Sequence, residues 1–382
     1  MATAHELLGE EVSYQAAVIL RANLDRIDFE TFLHELLYIR SCRCAIESQM
    51  TNNQLDGKIR QALSEYVDCL NGWARGAQLS TFHHKHVDHA REQGESVGAV
   101  ELALLLQNDS AGCQSGACRG ADGSTYLWHT EEDVDKQGQA RFDKLRLASF
   151  SVQNGRRRAQ LFSFIYPDLM PGPAFNWRSD GFVQLVDSLH VKHNHDGCRL
   201  LANIVTWISL RLGNQVSLAE IVASLAPYID GYAILAAYQK DGRIHVEKVE
   251  FADDQIISTG LGRSEGDALL QVNVVSHKDS ALARMVEELS PAARSMYEKR
   301  LQRTEKAIKG FSPSGDWPAF LRGLLASRTG GEDAYANLIV KAYFLAEMNT
   351  AALNLWAGNG PALPDDIPLQ FRFVTHSPSI TA

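Results

Sequence analysis

Apolar residues recur every three or four positions through Ser13–Ile27, Phe29–Ile39 and Gln61–Trp73, and Val97–Leu106 is a further apolar run. The first ~110 residues therefore read as a set of helices, with no period-two stretch among them. The texture changes at Asn108-Asp109-Ser110-Ala111-Gly112, a run of small and polar residues that forms a loop. Beyond it the chain turns strand-rich. Cys113–Arg119 and Ser124–His129 flank Gly120-Ala121-Asp122-Gly123, a hairpin signal. Further strands are expected at Gln160–Tyr166, Gly181–Leu189, Tyr232–Tyr238, Arg243–Phe251, Gln271–His277, Asn337–Leu345, Thr350–Ala357 and Leu369–Thr375.

Helices interrupt those strands. Leu200–Leu212 stops at Gly213, Ser217-Leu218-Ala219-Glu220 is a capping box, Ala281–Leu289 is short, and Ser290-Pro291 opens a heavily charged helix to Lys309. Helices first, then strands mixed with helices, predict an α+β fold with helices packed on antiparallel sheets.

Composition narrows the function. With 45% hydrophobic and 22% charged residues over 382 positions, the chain reads as globular and large enough for a sizeable core. A net charge of −9, relieved only by the Arg156-Arg157-Arg158 cluster, argues against nucleic acid as a partner. The opening MATAHELLGEE has neither the basic nor the apolar region of a signal peptide, and no stretch reaches the ~18 apolar residues of a membrane span. A cytoplasmic protein with no membrane partner is the expectation. Six cysteines at C-x-C and C-x4-C spacings match no structural zinc set, so each is a buried hydrophobe or a reactive thiol. No P-loop, dinucleotide fingerprint or G-x-S-x-G elbow occurs, and no cofactor or metal is expected at the candidate site.

The chemistry concentrates in Gly112-Cys113-Gln114-Ser115, where a cysteine opens a strand after a glycine and a loop. A residue in that place can act as an N-terminal nucleophile once the bond before it is cut. Its side chain attacks, and its own α-amine, with a pKa of ~7.7–8.0, takes the proton. Cys118, at an odd offset from Cys113, points to the opposite face of the strand and reads as a packed thiol. His129 either serves as a base for Cys113 or is a polar strand end. The dense cluster His83–His89 reads as surface histidines, with a metal site as the sharper alternative. Trp177 and Arg178, expected in a loop after Phe175, suit an acyl or carboxylate substrate.

These pieces, in this order, resemble the acyl-CoA:6-aminopenicillanic acid acyltransferase family of N-terminal-nucleophile hydrolases. The resemblance runs through Gly112-Cys113-Gln114-Ser115, the Asp122-Gly123 turn, His129-Thr130-Glu131, Tyr166-Pro167-Asp168-Leu169-Met170-Pro171-Gly172, Gly181-Phe182-Val183, Val275-Ser276-His277 and Asn359-Gly360-Pro361. It covers roughly residues 95 to 375.

The resemblance implies a four-layer αββα sandwich with a helical N-terminal segment. It implies cleavage between Gly112 and Cys113, which would divide the chain into 1–112 and 113–382, and a thioester at Cys113. Glu131 stands at the family's amine-assisting aspartate, and Ser276 at the asparagine that donates to the oxyanion, with Asn273 as a partial substitute. Asp187 stands near another family asparagine, and His190 lies where the family closes its substrate pocket. Glu131 is one methylene longer, and Ser276 shorter, than the family's residues, which points away from the commonest substrates. The implied activity is amide hydrolysis or N-acyl transfer on a small molecule in specialised metabolism, in a chain that could form homodimers. The competing reading is an uncleaved binding or scaffold protein with the same fold.

Overall fold

The computed structural model describes residues 2–107, 112–133, 145–154, 157–191, 199–225, 229–264, 267–285, 291–312, 315–326, 339–359 and 368–374. Among them, six α-helices precede the first strand: α1 Ala4–Val12, α2 Ala16–Leu24, α3 Phe29–Thr51, α4 Gly57–Gly76, α5 Lys85–Glu92 and α6 Ala99–Leu106. The strands are β1 Gly112–Arg119, β2 Thr125–Asp133, β3 Arg146–Asn154, β4 Arg157–Ile165, β5 Phe175–Arg178, β6 Phe182–Ser188, β7 Tyr232–Lys240, β8 Arg243–Ala252, β9 Gln255–Gly260, β10 Ala268–Val272, β11 Ile339–Met348, β12 Ala352–Asn359 and β13 Leu369–Val374.

Two antiparallel sheets result, in the orders β10-β1-β2-β11-β12-β13 and β3-β4-β5-β6-β7-β8-β9. Ala117, Leu127, Phe344 and Leu355 of the first sheet meet Phe175, Trp177, Val183 and Leu235 of the second in one apolar layer. The aromatic rings there stack in series, Phe164 on Phe175 at 4.4 Å and Phe175 on Phe344 at 5.1 Å. The outer face of the second sheet packs Val186, Ile234 and Val249 against the N-terminal helices and the helix Ala202–Leu212. The outer face of the first sheet packs Cys118, Trp128 and Tyr343 under the helices Pro291–Gly310 and Trp317–Ala326. The order of layers is helix, sheet, sheet, helix. No helix among the described residues is long and apolar enough to cross a membrane.

The helical segment is held by close backbone contact as well as by apolar burial. A Cβ on Gly9 of α1 would stand 1.9 Å from the Cys69 carbonyl oxygen of α4, and one on Gly72 would stand 1.9 Å from the Glu6 carbonyl oxygen. Gly9→Ala should therefore lower stability by about 1–3 kcal/mol, the cost of forcing packed backbones apart, despite alanine's better helix propensity. Gly57→Ala, where the added methyl meets nothing within 4 Å, is the control. Thermal unfolding should show a lower midpoint for the first variant only.

Some expectations change in detail. In place of the strand expected at Gln271–His277, β10 runs from Ala268 to Val272, and the strand expected at Ser124–His129 begins at Thr125 and runs on to Asp133. The short helix expected at Ala281–Leu289 is a 3-10 turn at Leu282–Met285, with its expected end outside the described residues. The Ser217 capping box forms as expected, with Glu220 and Ser217 each accepting from the other's backbone N–H.

Candidate active site

Strand alternation builds the site. In the register of β1 and β2, Cys113 lies opposite Glu131 and Ser115 opposite His129. Side chains two apart share a face, so Cys113, Ser115 and Ala117 all point between the sheets. Cys118 points the other way and packs with Tyr126, Trp128 and Trp317.

A continuous polar chain lies in that inter-sheet space. The Cys113 Sγ donates to Glu131 Oε2 at 3.6 Å. Glu131 Oε1 lies 2.6 Å from His129 Nε2, and its Oε2 also accepts from the Tyr166 hydroxyl. His129 Nδ1 lies 2.8 Å from Ser115 Oγ, which donates to Asp187 Oδ2 on β6 at 2.5 Å. Strands of both sheets thus position one network around one thiol.

Asn273 completes it from a turn. Beyond β10 the Val274 N–H donates to the Val272 carbonyl at 2.7 Å, a three-residue turn with Asn273 at its centre. This turn, rather than a bulge in a longer strand, carries the Asn273 side chain inward. Its Nδ2 donates to the backbone oxygen and Oγ of Ser188, both at 3.1 Å, which leaves Oδ1 to accept from the Cys113 N–H at 2.9 Å.

Arg300, from the helix Pro291–Gly310, reaches the other face of β1. Its Nη2 donates to the Cys113 carbonyl at 3.4 Å and pairs with Glu132, while Nη1 has no hydrogen-bond partner among the described residues. The sequence reading did not single out Arg300. It sits in a run of charged residues that looks like a solvated face, and only the tertiary fold shows that it is buried.

Burial first, and then the carboxylates of Glu131, Asp187 and Glu132, push the Cys113 thiol well above its ordinary value. The thiol is therefore protonated. For His129, burial disfavours the charged ring, but the carboxylates of Glu131, Asp187 and Glu132 together outweigh it and hold the imidazole above its usual range. Burial lifts Asp187 to about 6, against the pull of His129, Ser115 and Arg300, with Glu131 pushing the same way as burial. Lys248, from β8, also feels this carboxylate.

The Asp187 shift has a measurable consequence. Unfolded, the carboxyl titrates near 3.8; folded, it titrates near 6. Between those values the folded chain keeps a proton that the unfolded chain has lost, so stability falls as pH rises through that window. The loss, on the order of 3 kcal/mol, then persists at higher pH. Asp187→Asn keeps an acceptor for Ser115 and removes the titration. Its melting temperature relative to the native chain should rise between pH 4 and 7; parallel curves would contradict the assignment.

No protein-family model and no curated protein matches this chain. Among solved structures, a likeness is found to the Caenorhabditis elegans N-acylethanolamine-hydrolyzing acid amidase ortholog. The two are 14% identical, with a TM-score of 0.36, over 66% of this chain and 94% of that one.

Other residues expected at the site go elsewhere. Trp177 and Arg178 lie in strand β5, not in a loop. Trp177 is fully buried and stacks on Phe162 at 5.2 Å, which makes it part of the core between the sheets. Arg178 is 1% exposed; its guanidinium bonds the carbonyls of Leu210 and Arg211 and the Asp180 carboxylate, where it closes the end of a helix. Both side chains are spent on structure rather than offered to a substrate. The Ser276 Oγ donates to Glu250 Oε2 at 2.6 Å and accepts from Lys248 Nζ at 2.7 Å, and none of its hydrogen bonds reaches Cys113. His190 Nε2 lies 3.1 Å from the Tyr297 hydroxyl, and the His190 N–H donates to the Asn273 carbonyl at 3.5 Å, so His190 borders the turn that carries Asn273. His193, the other histidine considered beside it, lies outside the described residues, as does the loop 108–111 before Gly112.

The histidine cluster joins helices. His84 is buried and lies 3.0 Å from Asp25 Oδ1, and His86 Nε2 lies 3.0 Å from the Ile27 carbonyl. These two make buried contacts across the junction of α2 and α3, whereas His83 and His89 are exposed, as the surface reading expects. Among the described residues, the cluster is not one of the side-chain groups spaced to hold a metal ion.

Proposed function

We propose that the chain is a cysteine-dependent amide hydrolase of the N-terminal-nucleophile type, with N-acyl transfer as the related outcome when an amine replaces water. The observation that carries this reading is the environment of Cys113. Its sulfur contacts Glu131, its backbone nitrogen is held by Asn273, and its carbonyl faces Arg300. A nucleophile, an acceptor fixed on its own nitrogen and a nearby carboxylate–imidazole pair are the parts this chemistry needs.

The chemistry begins in the uncut chain. The Cys113 sulfur attacks the Gly112 carbonyl carbon, the peptide nitrogen leaves with the thiol proton, and water hydrolyses the resulting thioester. This releases the Gly112 carboxylate and the Cys113 α-amine. That amine then accepts the thiol proton as sulfur attacks a substrate amide, and Asn273 Oδ1 orients it by accepting one of its hydrogens. The substrate amine departs with the proton, and water resolves the acyl thioester. Glu131 and His129 act on the amine and thiol through the hydrogen bonds already present. A protonated, enclosed thiol suits a precursor that is latent until it is cut.

The proposed substrate class is a small, linear N-acyl amine of specialised metabolism. Intact-mass analysis of the purified chain, together with hydrolysis of a panel of N-acyl amines, tests the reading. Two fragments divided between Gly112 and Cys113 and release of free amine are expected. A chain that stays whole and releases no amine from any panel member would favour an uncleaved binding protein instead.

A further inference from the structure

We propose that Cys113, His129 and Glu131 form a binding site for a divalent transition metal of the zinc type. One ligand atom from each, a sulfur, an imidazole nitrogen and a carboxylate oxygen, lies within 4.8 Å of the other two. Two donors held tetrahedrally at about 2.3 Å and 2.0 Å from one zinc stand roughly 3.5 Å apart. The Sγ and Oε2 atoms are already 3.6 Å apart. The closer pair, His129 Nε2 and the other carboxylate oxygen, Glu131 Oε1, at 2.6 Å, is joined by a hydrogen bond whose proton a metal would replace, the ring and the carboxylate moving apart by less than about 1 Å.

The charges also match. A thiolate and a carboxylate neutralise a dication, and the imidazole binds in its neutral form. Three protein donors leave a fourth position for water or a substrate oxygen, as in open zinc sites. The groups behind the ligands are in place too. Ser115, anchored by Asp187, bonds His129 Nδ1 and leaves Nε2 facing the Glu131 carboxylate. Tyr166 holds the Glu131 carboxylate. The ligands stand on paired strands, with Cys113 directly across from Glu131, so little ordering is required on binding. Binding displaces the thiol proton and the proton between His129 and Glu131 into solvent.

The consequence for catalysis rests on the function proposed above. A metal on the Cys113 sulfur blocks the nucleophile, so the ion acts as a reversible inhibitor.

Cobalt(II) is the probe, because thiolate ligation gives it a sulfur-to-metal charge-transfer band and tetrahedral geometry gives intense visible bands. The full chain, stripped with chelator, is titrated with cobalt(II). One equivalent with both signatures is expected, displaced by zinc(II). Cys113→Ser should lose the charge-transfer band, and Glu131→Gln should weaken binding at least about tenfold. Cys44→Ser, at an exposed cysteine, should leave both signatures unchanged. Absence of the band in the native chain, or its survival in Cys113→Ser, would overturn the site. The readout is independent of turnover: Cys113-dependent amide hydrolysis without the band defeats the metal site alone. The band alongside full turnover by Cys113→Ala defeats the nucleophile reading alone.

Discussion

Cys113→Ala is expected to abolish amide turnover, with a loss of about 10⁴-fold or more, the scale seen when a covalent nucleophile is removed. It should also leave the chain uncut. The fold should survive, because the substitution removes one sulfur atom from a largely polar setting of Glu131, Asn273 and Arg300. Stability within about 1 kcal/mol of the native chain is expected. Steady-state assays beside thermal unfolding separate the two effects. Turnover retained by a folded variant would remove the mechanism.

The second large effect is on stability. Arg300 and Glu132 form an ion pair whose side chains are 3% and 2% exposed. Taking one charge out of such a pair leaves the other buried without its counter-charge, which typically costs 3–5 kcal/mol. Arg300→Met should destabilise the chain by about that much. Glu132 would keep the Thr130 hydroxyl, which bonds its Oε1 at 2.9 Å, but not the guanidinium. Adding Glu132→Gln should recover a large part of the loss, because the stranded charge is then gone. Chemical denaturation of the two single variants and the double variant gives the coupling directly. A loss below about 1 kcal/mol in Arg300→Met would mean that water reaches the pair.

The α+β class, with helices on antiparallel sheets, was legible in the hydrophobic pattern because periodicity is a local property, whereas the αββα order of layers was implied by the resemblance. The hairpin around Gly120–Gly123 forms with β1 and β2 as its arms, and this alone brings Glu131 opposite Cys113. The capping box at Ser217 and the helix from Pro291 are likewise written in short spacings. Strands β3, β5 and β9 were not legible. β3 and β9 lie at the two edges of the second sheet, where few side chains are buried and the apolar alternation is weak, and β5 is only four residues long.

The site was legible in part. Cys113, His129, Glu131, Asn273 and Asp187 were named from the sequence, and the fold brings them into one network directly or through Ser115. Ser276 was placed on a strand face that does not exist, because the chain turns at Asn273. Trp177 and Arg178 look like binding groups in a Pro- and Gly-rich stretch. A four-residue strand buries the first, and helix-end carbonyls capture the second. Arg300 and Tyr166 reach the network across the fold, and no spacing along the chain encodes such long-range contacts.

Trapping the acyl intermediate tests the central claim most directly. The chain is mixed briefly with an N-acyl amine, quenched in acid and digested for mass spectrometry. The account predicts an acyl group on a peptide whose first residue is Cys113. Free amine released while Cys113 remains unmodified and still joined to Gly112 would contradict it.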